Sequence, residues 1–341
     1  VTAVREQSPG PVALGPETWL LAQPTPEGSS PHATNCILLR DAAGGVHVID
    51  PGWDTPGNRE SLERAFGGLG APASVTATHL HPDHLGLAPW LRERFGTPVA
   101  VHRLEHEAIL RLASAAPTAV GDAAARIEAW GVPVGEAAEL LEVARVAATA
   151  NSRTTSVSTG VGPAGVEIDA LLDDGDLLAV PGRRLTVVST PGHTPGHICL
   201  IEHAADGTPA LVLTGDLVLP DIYPGVGLGG ASADPLGDYL RSLDRIAAAW
   251  STAAPEALAL PGHGSAFTDL TARCAETALH HRVRSEEVAE IVAEHPHASV
   301  WEIAERVTWS AGWPNLHGFY RVSALSQIAL HLAHLTAARE T

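Results

Sequence analysis

The sequence predicts an α/β protein built from two half-sheets, on three observations. Short apolar runs recur along the chain and stop at glycine or proline, as where a buried strand ends in a tight loop. Segments with apolar spacing of three and four alternate with them, the mark of amphipathic helices. At 341 residues the chain can bury a sizeable core, as one large domain or as a domain with an appendage.

The elements follow in order. Residues 1–17 are rich in Pro and Gly and read as irregular. Strands are expected over 19–23, 35–40 and 46–50, the last two joined by the turn Asp41-Ala42-Ala43-Gly44-Gly45. A helix over 57–69 turns Leu62, Ala65, Phe66 and Leu69 inward and stops at glycines. A strand over 73–78 leads to Pro82, after which Asp83 and His84 open a helix over 85–95. A short strand over 98–102 precedes helical stretches at 107–115, 122–130 and 135–148. With the Ser/Thr/Gly-rich passage 151–165, which reads as a mobile loop, these form an insert of about 103–165. His102 and His106 sit at its edge as packing or surface residues.

The acidic cluster Asp169, Asp173, Asp174 and Asp176 suits a solvated turn and is poorly spaced for calcium. Strands at 185–189, 198–202 and 211–213 make the second half-sheet. The glycine-dense loop 220–231 lacks a phosphate-loop pattern and reads as a flexible rim. A helix over 239–250 begins near Asp234, and the run 256–260 leads to His263. From residue 268 the chain turns helical, over 270–294, 299–307 and 321–338, with an aromatic turn at 309–320.

Composition excludes some functions. A net charge of −18 argues against a general nucleic-acid or anionic-membrane surface, since phosphate binding needs clustered cations. The chain contains no lysine, so no role that needs one is open to it. Cys36, Cys199 and Cys274 are far apart and read as buried thiols of a reducing compartment. No apolar signal region and no long apolar run appear, and a soluble cytoplasmic protein is expected.

The chemistry concentrates in Thr78-His79-Leu80-His81-Pro82-Asp83-His84. Four candidate ligands fall there, and His79 and His81 point the same way from an extended segment. Imidazoles with a carboxylate suit a borderline cation such as zinc. The run His-x-His-x-Asp-His resembles the signature of the metallo-β-lactamase superfamily, and the resemblance implies three more ligands downstream, each after a short apolar run and a glycine: His193 in Thr190-Pro191-Gly192-His193, Asp216 in Leu213-Thr214-Gly215-Asp216, and His263 in Leu260-Pro261-Gly262-His263. His197 competes with His193 for the first of these places.

The run and the ordered downstream set together carry this resemblance over roughly residues 18–267. The resemblance implies a four-layer αββα sandwich as the catalytic domain, 1–267, carrying the helical insert. The remainder, 268–341, is similar to a helical, winged-helix-like appendage found on some hydrolases of this fold. By the family pattern His79, His81 and His193 hold one metal, Asp83, His84 and His263 a second, and Asp216 bridges them. Two divalent ions, zinc in the first place and iron or manganese as alternatives, would then deliver a bridging hydroxide, with Asp83 and Asp216 as the catalytic carboxylates. The pattern makes Asp50 a brace for the ligand loop and His197 a hydrogen-bonding neighbour. Trp53 and Tyr223 are candidate substrate contacts.

The ligand set resembles that of glyoxalase II. A true β-lactamase is disfavoured, because those enzymes lack the bridging aspartate and use lysine or serine near the metals. The expected activity is hydrolysis of a small-molecule thioester, lactone or related ester. A phosphodiesterase or ribonuclease of the same fold and a mononuclear iron redox protein are the alternatives. A homodimer is left open, and the C-terminal region reads as a packing or dimerisation element.

Overall fold

A computed structural model describes residues 10–115, 119–153, 166–230 and 232–340. The first sheet runs β1 (Val12–Gly15), β2 (Thr18–Pro24), β3 (Ala33–Arg40), β4 (Val46–Ile49), β5 (Pro72–Thr76), β6 (Val99–His102) and β7 (Ala170–Leu172), in that spatial order. It is antiparallel through β4 and parallel from β4 to β7. The second sheet has the order β11-β10-β9-β8, from β8 (Leu185–Ser189), β9 (Ile198–His203), β10 (Pro209–Gly215) and β11 (Leu258–Pro261).

Side-chain alternation along the strands makes the layers. On β3, Ile37 and Leu39 join Leu185, Val187, Ile198, Leu200, Leu211 and Leu213 between the two sheets. Cys36 and Leu38 point the other way. There they meet Leu62, Ala65 and Phe66 of α1 (Pro56–Leu69), Leu85 of α2 (Pro82–Leu85), Leu91 of α3 (Ala88–Phe95) and Ala108 of α4 (Arg103–Ala115). On the second sheet the complementary residues Cys199, Ile201 and Val212 face outward. Two helices that follow in the chain, α7 (Pro235–Trp250) and α8 (Leu270–Glu294), cover them with Leu236, Leu243, Ile246, Leu270 and Cys274. Each fully buried Leu or Ile here stabilises the fold by about 1.5–3 kcal/mol. The result is the expected αββα sandwich, and all three thiols are free and buried.

Between α4 and α7 come the insert helices α5 (Ala119–Ala129) and α6 (Val134–Arg153). Their apolar faces do not close on themselves. Ile127 and Leu140 pack with Val288 of α8, Trp301 and Ile303 of α9 (Val300–Ala304), and Leu325 and Ile328 of α10 (Gly318–Glu340). Arg321 staples this fourth core: it donates to Glu136 at 2.7 Å and lies 5.5 and 5.2 Å from the ring centres of Trp301 and Trp313. Insert and C-terminal helices therefore share one core. Ser299 caps α9 with a reciprocal bond from Glu302, a capping box.

Five expectations need correction or restriction. Residues 12–15 are strand β1, an edge paired to β2, although residues 1–17 were expected to be irregular; residues 1–9 lie outside the described residues. The acidic turn contains the edge strand β7, and three of its four carboxylates are ion-paired: Asp169 to Arg92, Asp173 to Arg103, Asp174 to Arg245. The helix expected over 85–95 is broken, because Leu87 gives its N–H to the Gly52 carbonyl at 3.0 Å and α3 starts afresh. Among the described residues no strand follows β11, so the wing of the expected appendage has no counterpart there. Of the mobile loop expected over 151–165, residues 151–153 belong to α6 and the rest lie outside the described residues. No helix of the described residues is long and apolar enough to cross a membrane.

Candidate metal centre

The ends of β4, β5, β10 and β11 and the loop from β8 to β9 meet at one edge of the sandwich, and every expected ligand lies there. Backbone bonds pin these loops across the two sheets: Ile198 N–H to Thr78 O at 3.0 Å, and Asn35 N–H to Gly262 O at 2.7 Å. Asn35 also donates through its side chain to Pro261 O and Gly264 O.

The structure brings the seven residues into two groups, His79/His81/His193/Asp216 and Asp83/His84/His263. In the first, His79 Nε2 is 2.9 Å from His81 Nδ1, and His193 Nε2 is 3.1 Å from His81 Nδ1 and 3.3 Å from His79 Nε2. Surrounding bonds fix the tautomers. Thr78 Oγ1 donates to Asp50 and so accepts from His79 Nδ1–H; His193 Nδ1–H donates to Gly225 O at 2.6 Å. Both Nε2 atoms thus present lone pairs to one point. A proton on His81 Nδ1 could serve one of them, but it would leave the other unmet and the buried His81 Nε2 an acceptor without a donor. Ligands of a tetrahedral zinc at about 2.0–2.1 Å stand roughly 3.3 Å apart, close to the separations found. The buried Asp216 Oδ1, which has no hydrogen-bond partner among the described residues, adds an orphaned anionic atom 3.5 Å from His84 Nε2 of the second group. The donor set therefore fits a cation.

The second group is held by a separate frame. His84 Nδ1–H donates to Asp50 Oδ2 at 2.8 Å, and His263 Nδ1–H donates to Ala33 O at 2.7 Å. Their Nε2 atoms stand 3.3 Å apart, and His263 Nε2 is 3.3 Å from both Asp83 Oδ2 and Asp216 Oδ2. Asp216 also reaches His84 Nε2 at 3.5 Å and His193 Nε2 at 3.8 Å, so its carboxylate lies between the groups. Asp50 braces the motif from below, accepting from Thr78 N–H at 2.7 Å, Thr78 Oγ1 at 2.8 Å and His84. His197 is no member of either group. Its Nε2 accepts the Asp216 N–H at 3.1 Å while its Nδ1 pairs with Thr190 Oγ1.

Electrostatics divides the groups in the same way. Burial, reinforced by the facing imidazoles, pushes His79 well below the ordinary histidine range and His81 down to about 3. Burial also opposes charge on His84 and His263. The carboxylates of Asp216, Asp50 and Asp83 outweigh it at His84, raising it to about 9, and those of Asp216 and Asp83 raise His263 to about 11. Without metal, both carry protons at neutral pH. In the unfolded chain they revert to about 6.5. Their stabilisation is thus complete below that pH and is lost as pH rises through about 9 and then about 11. Urea midpoints of metal-free protein are expected to fall from pH 7 to pH 10. Loaded protein, whose cation replaces those protons, is expected to hold its midpoint over the same range.

Gly262 is a steric necessity. A Cβ there would lie 2.3 Å from Asp216 Oδ1 and 2.7 Å from His84 Cε1. Gly262→Ala is expected to cost about 1–3 kcal/mol by overpacking and to lower bound metal, as melting curves and metal analysis would show.

The candidate substrate contacts fare differently. Trp53 is 8% exposed, leaving little ring surface for a ligand. Tyr223 is exposed, stacks on His280 at 3.8 Å and donates to Glu276 at 3.3 Å. Of the insert's edge histidines, His102 is buried and its Nδ1 accepts the Leu104 N–H; it belongs to neither group. Two residues were not anticipated. Thr34 donates to Asp83 Oδ2 at 3.3 Å, and Glu105, fully buried in α4, accepts from Thr194 and Gly196 beside His193. Neither belongs to a ligand motif, so only spatial proximity reveals them. A crevice of about 720 Å³, lined by Glu17, Arg40, Arg183 and Glu202, opens beside the starts of β10 and β11 and is bordered by none of the seven.

This fold with this pair of His/Asp clusters defines a class, and the sequence comparison agrees. The chain belongs to the metallo-beta-lactamase superfamily, whose profile matches residues 30–263. It is similar to hydroxyacylglutathione hydrolase GloC of Haemophilus influenzae, 26% identical over 69% of this chain and 87% of that protein. It is also similar to a beta-lactamase-like protein 2 homolog of Caenorhabditis elegans, 28% identical over 50% of this chain; the match spans about half, 51%, of that protein's length. Among solved structures it resembles a metallo-beta-lactamase family protein from Thermus thermophilus, with TM-score 0.71, 29% identity and 96% and 95% of the two chains covered. A beta-lactamase domain protein from Burkholderia ambifaria gives TM-score 0.74 and 27% identity over 96% and 89%. Fold and ligand clusters together support a metal-dependent hydrolase with a dinuclear His/Asp site.

Proposed function

We propose that the chain hydrolyses a thioester, lactone or related ester, with two zinc ions held by His79, His81 and His193 on one side, Asp83, His84 and His263 on the other, and Asp216 between. The observation that carries this reading is the Asp216 carboxylate standing between two sets of inward-facing imidazole nitrogens. When bound, such a pair of cations supplies hydroxide at neutral pH and polarises the carbonyl oxygen. The remaining work falls to the chain. His79, His81 and His193 stay neutral and keep their lone pairs. Asp83, with 16% of its side chain exposed against 10% for Asp216, is the more accessible of the two carboxylates; there it can orient a water and pass its proton to the leaving group. The hydroxyl of Thr34 steadies it. The relative from Haemophilus, named as a hydroxyacylglutathione hydrolase, supports the thioester class.

The test is metal analysis of the purified chain followed by a panel of acyl-CoA, acylglutathione, lactone and phosphodiester substrates. Two zinc ions per chain with turnover of a thioester or lactone is the expected result. A single iron, or turnover confined to phosphodiesters, would replace this reading with one of the alternatives.

A further inference from the structure

Glu105 is an acidic residue of the insert that reaches the metal centre from outside the ligand set. It sits in the first turn of α4 and is 0% exposed. Its Oε1 accepts from the Thr194 hydroxyl and from Gly196 N–H at 2.9 Å, on either side of Pro195 and directly after His193. Burial pushes its carboxyl up to about 7, against the hydrogen bonds from Thr194, Gly196 and the Leu80 N–H between His79 and His81, and Oε2 has no hydrogen-bond partner among the described residues. The approach is tight: a Cβ on Gly196 would lie 2.4 Å from Glu105 N and 2.9 Å from His102 Nδ1. A carboxylate without a basic partner is costly to bury. Packing alone would be served by an apolar side chain. What the carboxylate adds is a fixed acceptor for the segment that aims His193.

The contacts are one-sided. Glu105 touches the loops that supply His79, His81 and His193. The other group hangs on Asp50, Ala33 and Thr34. We infer that Glu105 is a positioning residue for the three-histidine cation site, through which the seating of the insert sets the geometry of His193. Groups that orient ligands in this way typically govern metal affinity by about 10–100-fold. The inference does not depend on which ester is cleaved.

The experiment isolates each site in the full chain. A His263→Ala background leaves the three-histidine group, and a His193→Ala background leaves the other. Cobalt(II) affinity is read from visible absorption in competition with a chelator, with Glu105→Ala, Glu105→Gln and Thr194→Val added in turn. Glu105→Ala is expected to weaken cobalt about 10–100-fold in the first background and to leave the second within threefold. Glu105→Gln keeps an oxygen that can accept from Gly196 and Thr194, and is expected to recover most of the loss. Thr194→Val leaves α4 intact and is expected to weaken the first site alone, which decides the matter should Glu105→Ala not fold. Equal losses at both sites, or no loss at the first, would overturn the inference. Absence of cobalt binding in the unsubstituted chain would overturn the metal centre itself and this inference with it.

Discussion

Replacing Asp216 by alanine is expected to lower turnover by about 10²–10⁴-fold, the scale on which removal of a directly acting polar or acid–base group is felt. Bound metal should drop below two ions per chain. The reason is placement: one carboxylate lies 3.3 Å from His263 Nε2, 3.5 Å from His84 Nε2 and 3.8 Å from His193 Nε2. The sheets should survive, because Asp216 follows β10 and the cores on either side of that strand are apolar. Circular dichroism together with metal analysis would separate loss of the site from loss of the fold. Full turnover in metal-depleted buffer, from this variant or from His81→Ala, would end the dinuclear account.

Asp50→Asn should produce the second-largest effect, by a different route. Asp50 Oδ2 accepts from both Thr78 Oγ1 and His84 Nδ1–H. An asparagine placed to keep the Thr78 N–H bond would turn its amide N–H toward His84. His84 would then accept at Nδ1 and carry its proton on Nε2, the atom facing Asp216 and His263. Thr78 Oγ1 would lose its acceptor at the same atom, and with it the orientation in which it accepts from His79 Nδ1–H. Metal affinity is therefore expected to fall about 10–100-fold at the Asp83/His84/His263 group, whose histidine Asp50 touches directly, and by less at the three-histidine group. Site-resolved titration with cobalt reads this directly; equal weakening of both groups would show that Asp50 merely supports the loop.

Much of this site was legible from the chain because its ligands are local and chemically rare. Three histidines and an aspartate within six positions admit few explanations, and the later ligands each follow an apolar strand and a glycine. Gly262 and Gly215 show why the glycines matter: a Cβ at Gly215 would meet His197 Nε2 at 2.6 Å. The sandwich was readable for a similar reason, since strands such as β9 are apolar on both faces. Elements defined by partners were not. Strand β7 has three residues and exists because β6 offers it an edge and Arg92, Arg103 and Arg245 neutralise the acids around it. The break after α2 depends on the Gly52 carbonyl, more than thirty positions away. Glu105 looks like any helix-surface glutamate until the fold closes its surroundings.

The fourth core also bears on how the chain is made. α5 and α6 leave the ribosome long before α10, yet Leu140 is buried only with residues such as Leu325 and Ile328 in place. During synthesis those two helices must wait, greasy side outward, while nearly two hundred further residues emerge. Non-local closure of this kind is slow and exposes the nascent polypeptide to clumping. Helix α10, remote from the chemistry in sequence, would thus act as the latch that ends that vulnerable interval.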